Sequence, residues 1–243
     1  MTKLLYAESI PQPIPSVYPL PILRDCSLLF DMQESGNKVI DHSGRGNHGT
    51  NSGSTIVAGH TGLVRSFGPV ADDKITVTKA ASINAQGRTA MSFALWVRKT
   101  IDGDLWLFEK NETAWTAGYR LSISATGKLT AVFYAVDATA QAVATNSISS
   151  NVWRFLAGVY NEDGDGKIKL YENAALQGLD TNTAGTGGGE DDSSLNLIVG
   201  CDFGGTKGLV GLMGRTYIWT RALPAAEIRE LYRRDSWRYG LAA

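Results

Sequence analysis

Short stretches in which hydrophobic and polar residues alternate dominate the chain from Cys26 onward. The stretch "SFALWVRK" (92–99) is an example, and a period of two is typical of a strand with one buried face. Gly, Asn and Asp separate these stretches, as in "SATGKL" and "NEDGDGKI", which predict hairpin turns. The predicted strands cover 26–32, 92–99, 104–110, 119–125, 128–136, 153–160, 167–173, 195–200 and 209–221.

One stretch near the end of the chain has helical spacing instead. In "PAAEIRELYRR" (224–234), Ile228, Leu231 and Tyr232 fall on one face of a helix, and Pro224 suits its first position. About nine to thirteen strands with a single terminal helix indicate an all-β fold, a β-sandwich of the jelly-roll kind.

The first 24 residues have a different pattern, because alternating prolines favour polyproline II and exclude helix and central strand. We therefore predict an extended arm (1–24), a sandwich (25–235) and an aromatic tail (236–243). Arm and tail are expected to pack on the sandwich or on a neighbouring subunit. The residues predicted to serve assembly are Pro11, Pro13, Pro15, Tyr18, Pro19, Pro21, Trp237 and Tyr239.

A glycine-rich stretch, "SGRGNHG" (43–49), matches G-x-G-x-x-G from Gly44 to Gly49. A dinucleotide site needs a strand before this pattern and a helix opening at its last glycine. Here the chain continues "TNSGSTIVAGHTG", which has no helical spacing. The glycines are therefore expected to allow positive φ in a tight loop, where Asp41, Ser43 and Asn47 bond nearby backbone.

Four segments together resemble the laminin-G-like, concanavalin A-like jelly-roll family, over about residues 26–233. They are "LLFDMQESGNKVIDHSGRGNHGT", "MSFALWVRK", "NVWRFLAGVYNEDGDGKIKLYEN" and "GLVGLMGRTYIWTRALPAAEIRELY". The resemblance implies a concanavalin A-like sandwich, with an extended Pro-rich arm and one short C-terminal helix here. It leaves the ligand open, since many functions share this fold.

The resemblance also raises the question of whether the glycine loop binds calcium. In relatives with calcium, an acidic position in the closing strand helps to hold the ion together with the Asp of the glycine loop. This chain has Gly214 and Arg215 in that strand. Two interpretations stay open: Asp41 and Asn47 bind Ca²⁺ with loop carbonyls, or they form a purely structural turn.

The composition of the chain excludes some classes of binding partner. The chain has 23 Lys and Arg against 24 Asp and Glu, so its net charge of −1 gives no footprint for nucleic acid or an anionic membrane. No apolar run reaches the roughly 18 residues of a membrane span, and the N-terminus does not have the pattern of a secretory signal. Cys26 and Cys201 are expected to be buried thiols, with one long-range disulfide as the alternative.

Candidate ligand chemistry centres on one loop. Trp106 and Trp115 bracket it, and Glu109 and Asn111 lie between them, so a sugar can stack on an indole and bond the polar groups. The alternative is that these tryptophans are packed, as Trp96, Trp153 and Trp219 are expected to be in the core. The acidic stretch 185–194 is expected to be a flexible loop that either edges a binding surface or is only solvated.

The motifs of catalysis are missing from the sequence, which shows no Glu-x-Asp-x-x-Glu, zinc pattern or serine elbow. We therefore expect a non-enzymatic virion protein, a phage capsid decoration, head-fibre or tail component. Its partners would be other subunits, as a homo-oligomer or with capsid protein, and glycans. The alternative is a carbohydrate-binding module of a bacterial surface or secreted protein, and a glycoside hydrolase comes third.

Overall fold

A computed structural model describes residues 21–69, 73–111 and 116–242. Within them it shows seventeen strands, one α-helix (α1, Ala225–Asp235) and 3-10 turns at Pro21–Leu23, Ala81–Ile83 and Ser236–Tyr239. The strands are β1 Cys26–Phe30, β2 Lys38–Val39, β3 Gly49–Ser52, β4 Thr55–Ala58, β5 Leu63–Phe67, β6 Lys74–Val77, β7 Ala90–Lys99, β8 Leu105–Lys110, β9 Tyr119–Ile123, β10 Lys128–Phe133, β11 Ala140–Ser147, β12 Arg154–Asn161, β13 Ile168–Glu172, β14 Ala175–Leu176, β15 Leu179–Thr183, β16 Leu197–Val199 and β17 Gly211–Trp219.

These strands form two antiparallel sheets. The first has the order β14-β13-β12-β7-β17-β5-β4, and β1 pairs with β17 beyond the end of β5. The second has the order β15-β11-β10-β9-β8-β16-β6-β3-β2. The predicted all-β sandwich with one short C-terminal helix is confirmed. None of the helices in the described part of the chain is long and apolar enough to cross a membrane.

The main core lies between the two sheets. Phe93, Leu95 and Val97 of β7 face inward and are fully or almost fully buried, as their alternation predicts. Phe93 stacks on Tyr119 of the opposite sheet with ring centres 5.0 Å apart. Burial of this apolar surface from both sheets is what holds the sandwich together.

A second apolar cluster covers the outer face of the first sheet. Trp96, Phe155 and Trp219 lie there beneath Ile228 and Leu231 of α1. The prediction that Trp96, Trp153 and Trp219 are core residues is confirmed, since each is at most 8% exposed. The central strands of this sheet are consequently buried on both faces, and helix and tail act as its cover.

Several strands were absent from the predicted set: β2 to β6, β11, β14 and β15. The sequences of β3, "GTNS", and β15, "LDTNT", are short and polar, and both strands lie at or near an edge of the second sheet. Backbone hydrogen bonds to a neighbouring strand, rather than an alternating pattern, define them.

Of the predicted arm (1–24), the structure describes only the part from Pro21 onward. Ile22 is 4% exposed and packs in the second cluster, and the indole nitrogen of Trp219 donates to the Ile22 carbonyl at 3.0 Å. Pro21 starts a 3-10 turn in which Ile22 and Leu23 pack against the sandwich. The assembly residues Pro11, Pro13, Pro15, Tyr18 and Pro19 lie outside the described residues.

The two tail aromatics have opposite environments. Tyr239 is buried against its own sandwich, where its ring stacks on Trp96 at 4.3 Å and contacts Trp153 at 4.7 Å. This corrects its assignment as an assembly residue, because its surface is already covered within the chain. Trp237 is 57% exposed and remains a surface residue.

The tail fits because β17 has a glycine at the contact. A Cβ on Gly214 would lie 2.2 Å from the Tyr239 hydroxyl oxygen, and the backbone amide of Arg215 donates to that same oxygen at 2.8 Å. Gly214 therefore lets the tyrosine reach the strand.

Gly214→Ala should lower the free energy of unfolding by about 1–3 kcal/mol, because the added methyl group pushes Tyr239 away from β17. Gly204→Ala is the matched control, since its Cβ would meet its nearest atom at 3.6 Å. Urea unfolding of both variants checks this. Equal stability of Gly214→Ala and wild type would contradict the proposed role of the glycine.

Candidate functional site

The glycine loop is built around one carboxylate. Asp41 is 5% exposed and accepts hydrogen bonds from the amides of Leu29, Ser43 and Asn47 at 3.0, 2.9 and 2.8 Å. Its Oδ2 also accepts from the Ser43 hydroxyl at 2.8 Å. Gly44 and Gly46 have φ of 84° and 76°, as expected for this loop. The loop is thus a structural turn of the kind the glycines predict.

The donor set fits this turn rather than calcium. Both oxygens of Asp41 bind backbone or hydroxyl donors, and the Asn47 side-chain amide donates to the Ser27 carbonyl at 2.6 Å. Calcium needs six to eight oxygens. In residues 21–69, 73–111 and 116–242, no three His, Cys, Asp or Glu side chains form a group that could hold a metal ion.

The predicted ligand residues lie together on the outer face of the second sheet. Strand register places Glu109 beside Arg120, and Trp106 beside Ser122. Leu107 and Leu121 point into the core. We call Trp106, Glu109, Asn111, Arg120 and Tyr134 the outer-face cluster. Trp115, the fourth predicted ligand residue, lies outside the described residues.

Trp106 is packed, which is the second of the two interpretations of this residue. It is 5% exposed, and its indole nitrogen donates to Glu109 Oε2 at 2.8 Å. The Arg120 guanidinium and the Lys207 ammonium lie 4.8 and 4.5 Å from its ring centre. These two cation–π contacts are made to the Trp106 ring, which the sequence predicted would stack on a sugar.

Glu109 binds other groups of the protein through both of its carboxyl oxygens. It is 2% exposed, and its other oxygen, Oε1, accepts the backbone amide of Phe203. Burial raises the pKa of Glu109, and the hydrogen bonds from Phe203 and Trp106 oppose that rise. With both oxygens bound to the protein, this carboxyl group joins the sheet to the loop above it.

Asn111 and Tyr134 complete the cluster at the end of β8. Asn111 is 2% exposed and hydrogen-bonds the side chain of Tyr134. Burial raises the pKa of Tyr134, and Arg120 and Asn111 lower it. These side chains bind each other, so they support the surface without presenting a group to solvent.

Residues 201–208 form a loop that the sequence did not identify as part of a site. We call it the 201–208 loop. The Asp202 carboxylate organises it by accepting the Thr206 hydroxyl at 2.7 Å and the Lys207 amide at 2.8 Å. Burial would raise the pKa of Asp202, but these bonds outweigh it and hold the pKa below its usual range. The sequence signal is Asp-Phe-Gly-Gly-Thr (202–206), in which an Asp precedes two glycines and a threonine, as is typical of a side-chain-capped turn.

This loop holds an aromatic side chain in solvent. Phe203 is 56% exposed, although its backbone is fixed to Glu109. A cavity of about 240 Å³ lies next to the loop and is lined by Ile101, Asp104, Thr206 and Lys207 among others. Lys207 and Asp104 form an ion pair at 3.2 Å and are each about 40% exposed. The loop thus carries one exposed aromatic residue, and other residues of the same loop line a cavity that has charged and hydroxyl groups.

The stretch 185–194 is fastened at its end rather than free in solvent, which corrects the expected solvated loop. Asp192 is fully buried and pairs with Lys110 at 3.2 Å. It also accepts the amides of Ala85 and Gln86. Burial lowers the pKa of Lys110, and Asp192 opposes that shift.

Cys26 and Cys201 are free and buried, as expected, and burial raises their pKa to about 12 and about 11.

Comparison with protein families gives one match. The Laminin_G_3 family, described as the concanavalin A-like lectin/glucanases superfamily, matches residues 70–229. The resemblance stated from the sequence is thereby confirmed. A search of curated proteins finds no match.

Solved structures with this fold include toxin domains. The binding domain of Paraclostridial Mosquitocidal Protein 1 superposes with a TM-score of 0.69 at 17% identity, over 88% of this chain and 53% of that chain. The botulinum neurotoxin serotype D binding domain gives 0.64 at 16%, over 91% and 55%. Botulinum neurotoxin type C, whose cell entry is dependent upon interaction with two ganglioside molecules, gives 0.63 at 15%, over 88% and 52%.

This chain therefore spans about half the length of those structures. At these identities the likeness is one of fold.

Asp202→Asn should lower the free energy of unfolding by about 1–3 kcal/mol at neutral pH, because an amide replaces the charged acceptor of the 201–208 loop. A depressed pKa stabilises the fold above the unfolded value of 3.8, and this contribution is lost as the pH falls through the lower folded value. The difference from wild type should therefore shrink below about pH 4.

Urea unfolding at pH 7 and pH 3 measures this. Asp25→Asn is the control, since Asp25 is exposed and asparagine tolerates its φ of 64°. A difference that stays constant between the two pH values would contradict the role given to the Asp202 charge.

Proposed function

We propose that this chain, which belongs to the concanavalin A-like lectin/glucanases superfamily, binds glycans without cleaving them, through the 201–208 loop and the cavity beside it. The observation that carries the proposal is Phe203. More than half of this residue is exposed, although its backbone amide donates to Glu109, so the phenyl ring can contact a ligand. Sugar rings stack their apolar faces on such aromatic side chains.

Polar residues that line the cavity beside the loop would supply the hydrogen bonds of a sugar site. Lys207 can donate, Asp104 can accept, and the Thr206 hydroxyl can accept while its proton stays bonded to Asp202, so together they suit vicinal hydroxyl groups. The ion pair between Lys207 and Asp104 holds the two side chains at the rim of the cavity. Glu109 and Asp202 hold the loop in place before a ligand arrives, which reduces the entropy lost on binding.

The same carboxyl groups support binding without hydrolysis. Retaining and inverting glycosidases need two carboxyl groups that flank the scissile bond. Here both oxygens of Glu109 and both oxygens of Asp202 bind groups of the protein itself. The likeness of the fold to toxin binding domains, one of them from a toxin that depends on gangliosides, also favours a binding role.

Phe203→Ala should weaken glycan binding by at least about tenfold, which corresponds to about 1.4 kcal/mol of lost stacking. The measurement is a glycan array with the purified chain, followed by titration of the strongest neutral oligosaccharide. Trp237→Ala is the matched control, because Trp237 is as exposed as Phe203 but lies in the C-terminal 3-10 turn. Equal loss of binding in both variants, or no loss with Phe203→Ala, would overturn the proposed site.

The Pro-rich arm favours a second role, in which the chain is a virion component that assembles with other subunits through residues 1–20. Four of the five arm prolines, from Pro11 to Pro19, precede the point where Ile22 fixes the chain to Trp219. A proline-rich sequence favours an extended backbone, and such a segment beside a fixed anchor suits binding to a neighbouring subunit, because it would bury a large area along its length. Glycan binding at the 201–208 loop is compatible with this role.

Removal of residues 1–20 should convert an oligomer into a folded monomer. The cut spares Ile22 and its bond to Trp219, so the melting temperature should be unchanged. Light scattering of both proteins tests this prediction. The assembly role fails if the full chain is itself monomeric, or if the shortened chain has the same oligomeric state.

A further inference from the structure

An amine and a carboxyl group meet in the interior beside the second sheet. Lys110 is the last residue of β8, and Asp192 lies 82 positions later, in the loop between β15 and β16. Both residues are fully buried, and Lys110 Nζ lies 3.2 Å from Asp192 Oδ2. Gly118 lies against both, since a Cβ there would be 1.7 Å from the Lys110 carbonyl oxygen and 3.5 Å from the Asp192 Cβ. A side chain at this position would therefore force the two residues apart.

The surroundings disfavour two separated charges. Tyr119 beside the pair is fully buried, and its hydroxyl donates to the Ile83 carbonyl at 2.8 Å rather than to the carboxyl group. Burial lowers the pKa of Lys110, although the charges of Asp192 and Asp191 oppose that shift. A lower pKa increases the share of the neutral amine, which is the nucleophilic form of a lysine.

The carboxyl group of Asp192 is held as an acyl acceptor would be. Its Oδ1 accepts the backbone amides of Ala85 and Gln86 at 2.9 and 3.1 Å. Two amides aimed at one oxygen stabilise the negative charge that develops there when a nucleophile adds to the carboxyl carbon. The Ala85 amide also lies 2.9 Å from Oδ2, which is the oxygen beside the Lys110 nitrogen. Oδ2 is thus the oxygen placed to accept protons and leave.

The nitrogen is held against this one residue. Lys110 Nζ also donates to the main-chain carbonyl oxygen of Asp192. Contact of this kind turns a bimolecular condensation into a unimolecular step, and exclusion of water protects the product from hydrolysis. Asp191 and Ser193 on either side are exposed, so a released water molecule has a short way to solvent.

We propose that Lys110 and Asp192 condense to an intramolecular isopeptide bond once the chain has folded. The ammonium group gives one proton to Oδ2, and the neutral nitrogen adds to the carboxyl carbon while negative charge develops on Oδ1. A second proton then passes from nitrogen to Oδ2, the bond from carbon to Oδ2 breaks, and one water molecule leaves. The charged pair becomes a neutral amide plus water without any other reactant.

The bond would join the end of β8 covalently to the stretch 185–194. It closes a loop of 82 residues, which restricts the unfolded chain as a disulfide of that span does. The proposal does not depend on glycan binding, because neither residue belongs to the 201–208 loop or to the outer-face cluster.

Tandem mass spectrometry of the full chain, incubated in its folded state and then denatured and digested with trypsin, tests the proposal. Trypsin does not cleave after an acylated lysine. The bond therefore predicts a branched product in which residues 100–120 are joined to residues 170–207, with the mass of one water molecule missing. Water lost by succinimide formation at an Asp-Gly pair would leave the two peptides separate.

Lys110→Arg is the matched variant, because a guanidinium keeps the positive charge for the ion pair but stays protonated and does not attack. Its melting temperature shows whether it is folded. Lys128 and Asp180 form an internal control in the wild-type chain, since they are an ion pair of the same two residue types that is partly exposed to water.

We expect the branched product from most of the wild-type chain and none from Lys110→Arg, and trypsin should cleave normally after Lys128. The proposal is overturned if the folded wild-type chain releases residues 100–110 and 111–120 as separate peptides without a branched product. It is also overturned if Lys128 and Asp180 are joined to the same extent, because burial would then have no part in the reaction.

Discussion

The cover that α1 and the C-terminal tail place on the first sheet is the contact on which the arrangement of the molecule depends. Tyr239 stacks on Trp96 and reaches Gly214 of β17. Ile228 and Leu231 of α1 add to the same apolar cluster. Among the described residues, the centre of this sheet is therefore buried on both sides and closed to ligands.

A buried group of charges fixes this cover in position. Arg215 of β17 pairs with Asp235 at the end of α1 at 2.8 Å, and with Asp31. Asp235 is fully buried and also accepts the Tyr217 hydroxyl. Buried charges are tolerated when each is paired and hydrogen-bonded. In this chain the closing strand thus uses Gly214 and Arg215 to hold the helix and tail.

The sequence predicted the parts of the fold whose pattern reflects burial. The strand at 92–99 alternates because one face of it lies between the sheets. Short polar strands such as β15 carry no such pattern, because backbone pairing alone defines them. The helix was predicted well, since Ile228 and Leu231 recur at its period.

The candidate site was predicted only in part. The sequence grouped Trp106, Glu109 and Asn111, and the structure places all three in one cluster, but it cannot show that cations from β9 and the 201–208 loop lie over the indole. Phe203 was missed because its exposure depends on a loop that Asp202 folds. Long-range contacts of this kind leave no periodic signal in the sequence.

The central claim is that a neutral oligosaccharide binds at the 201–208 loop, and chemical-shift mapping tests it most directly. The isotopically labelled chain would be titrated with the strongest neutral oligosaccharide while backbone amide resonances are followed. The account predicts that the shifts concentrate at residues 201–208 and at Asp104 and Gly68, which border the same cavity. Saturable shifts confined to another surface, with the 201–208 loop unchanged, would contradict it.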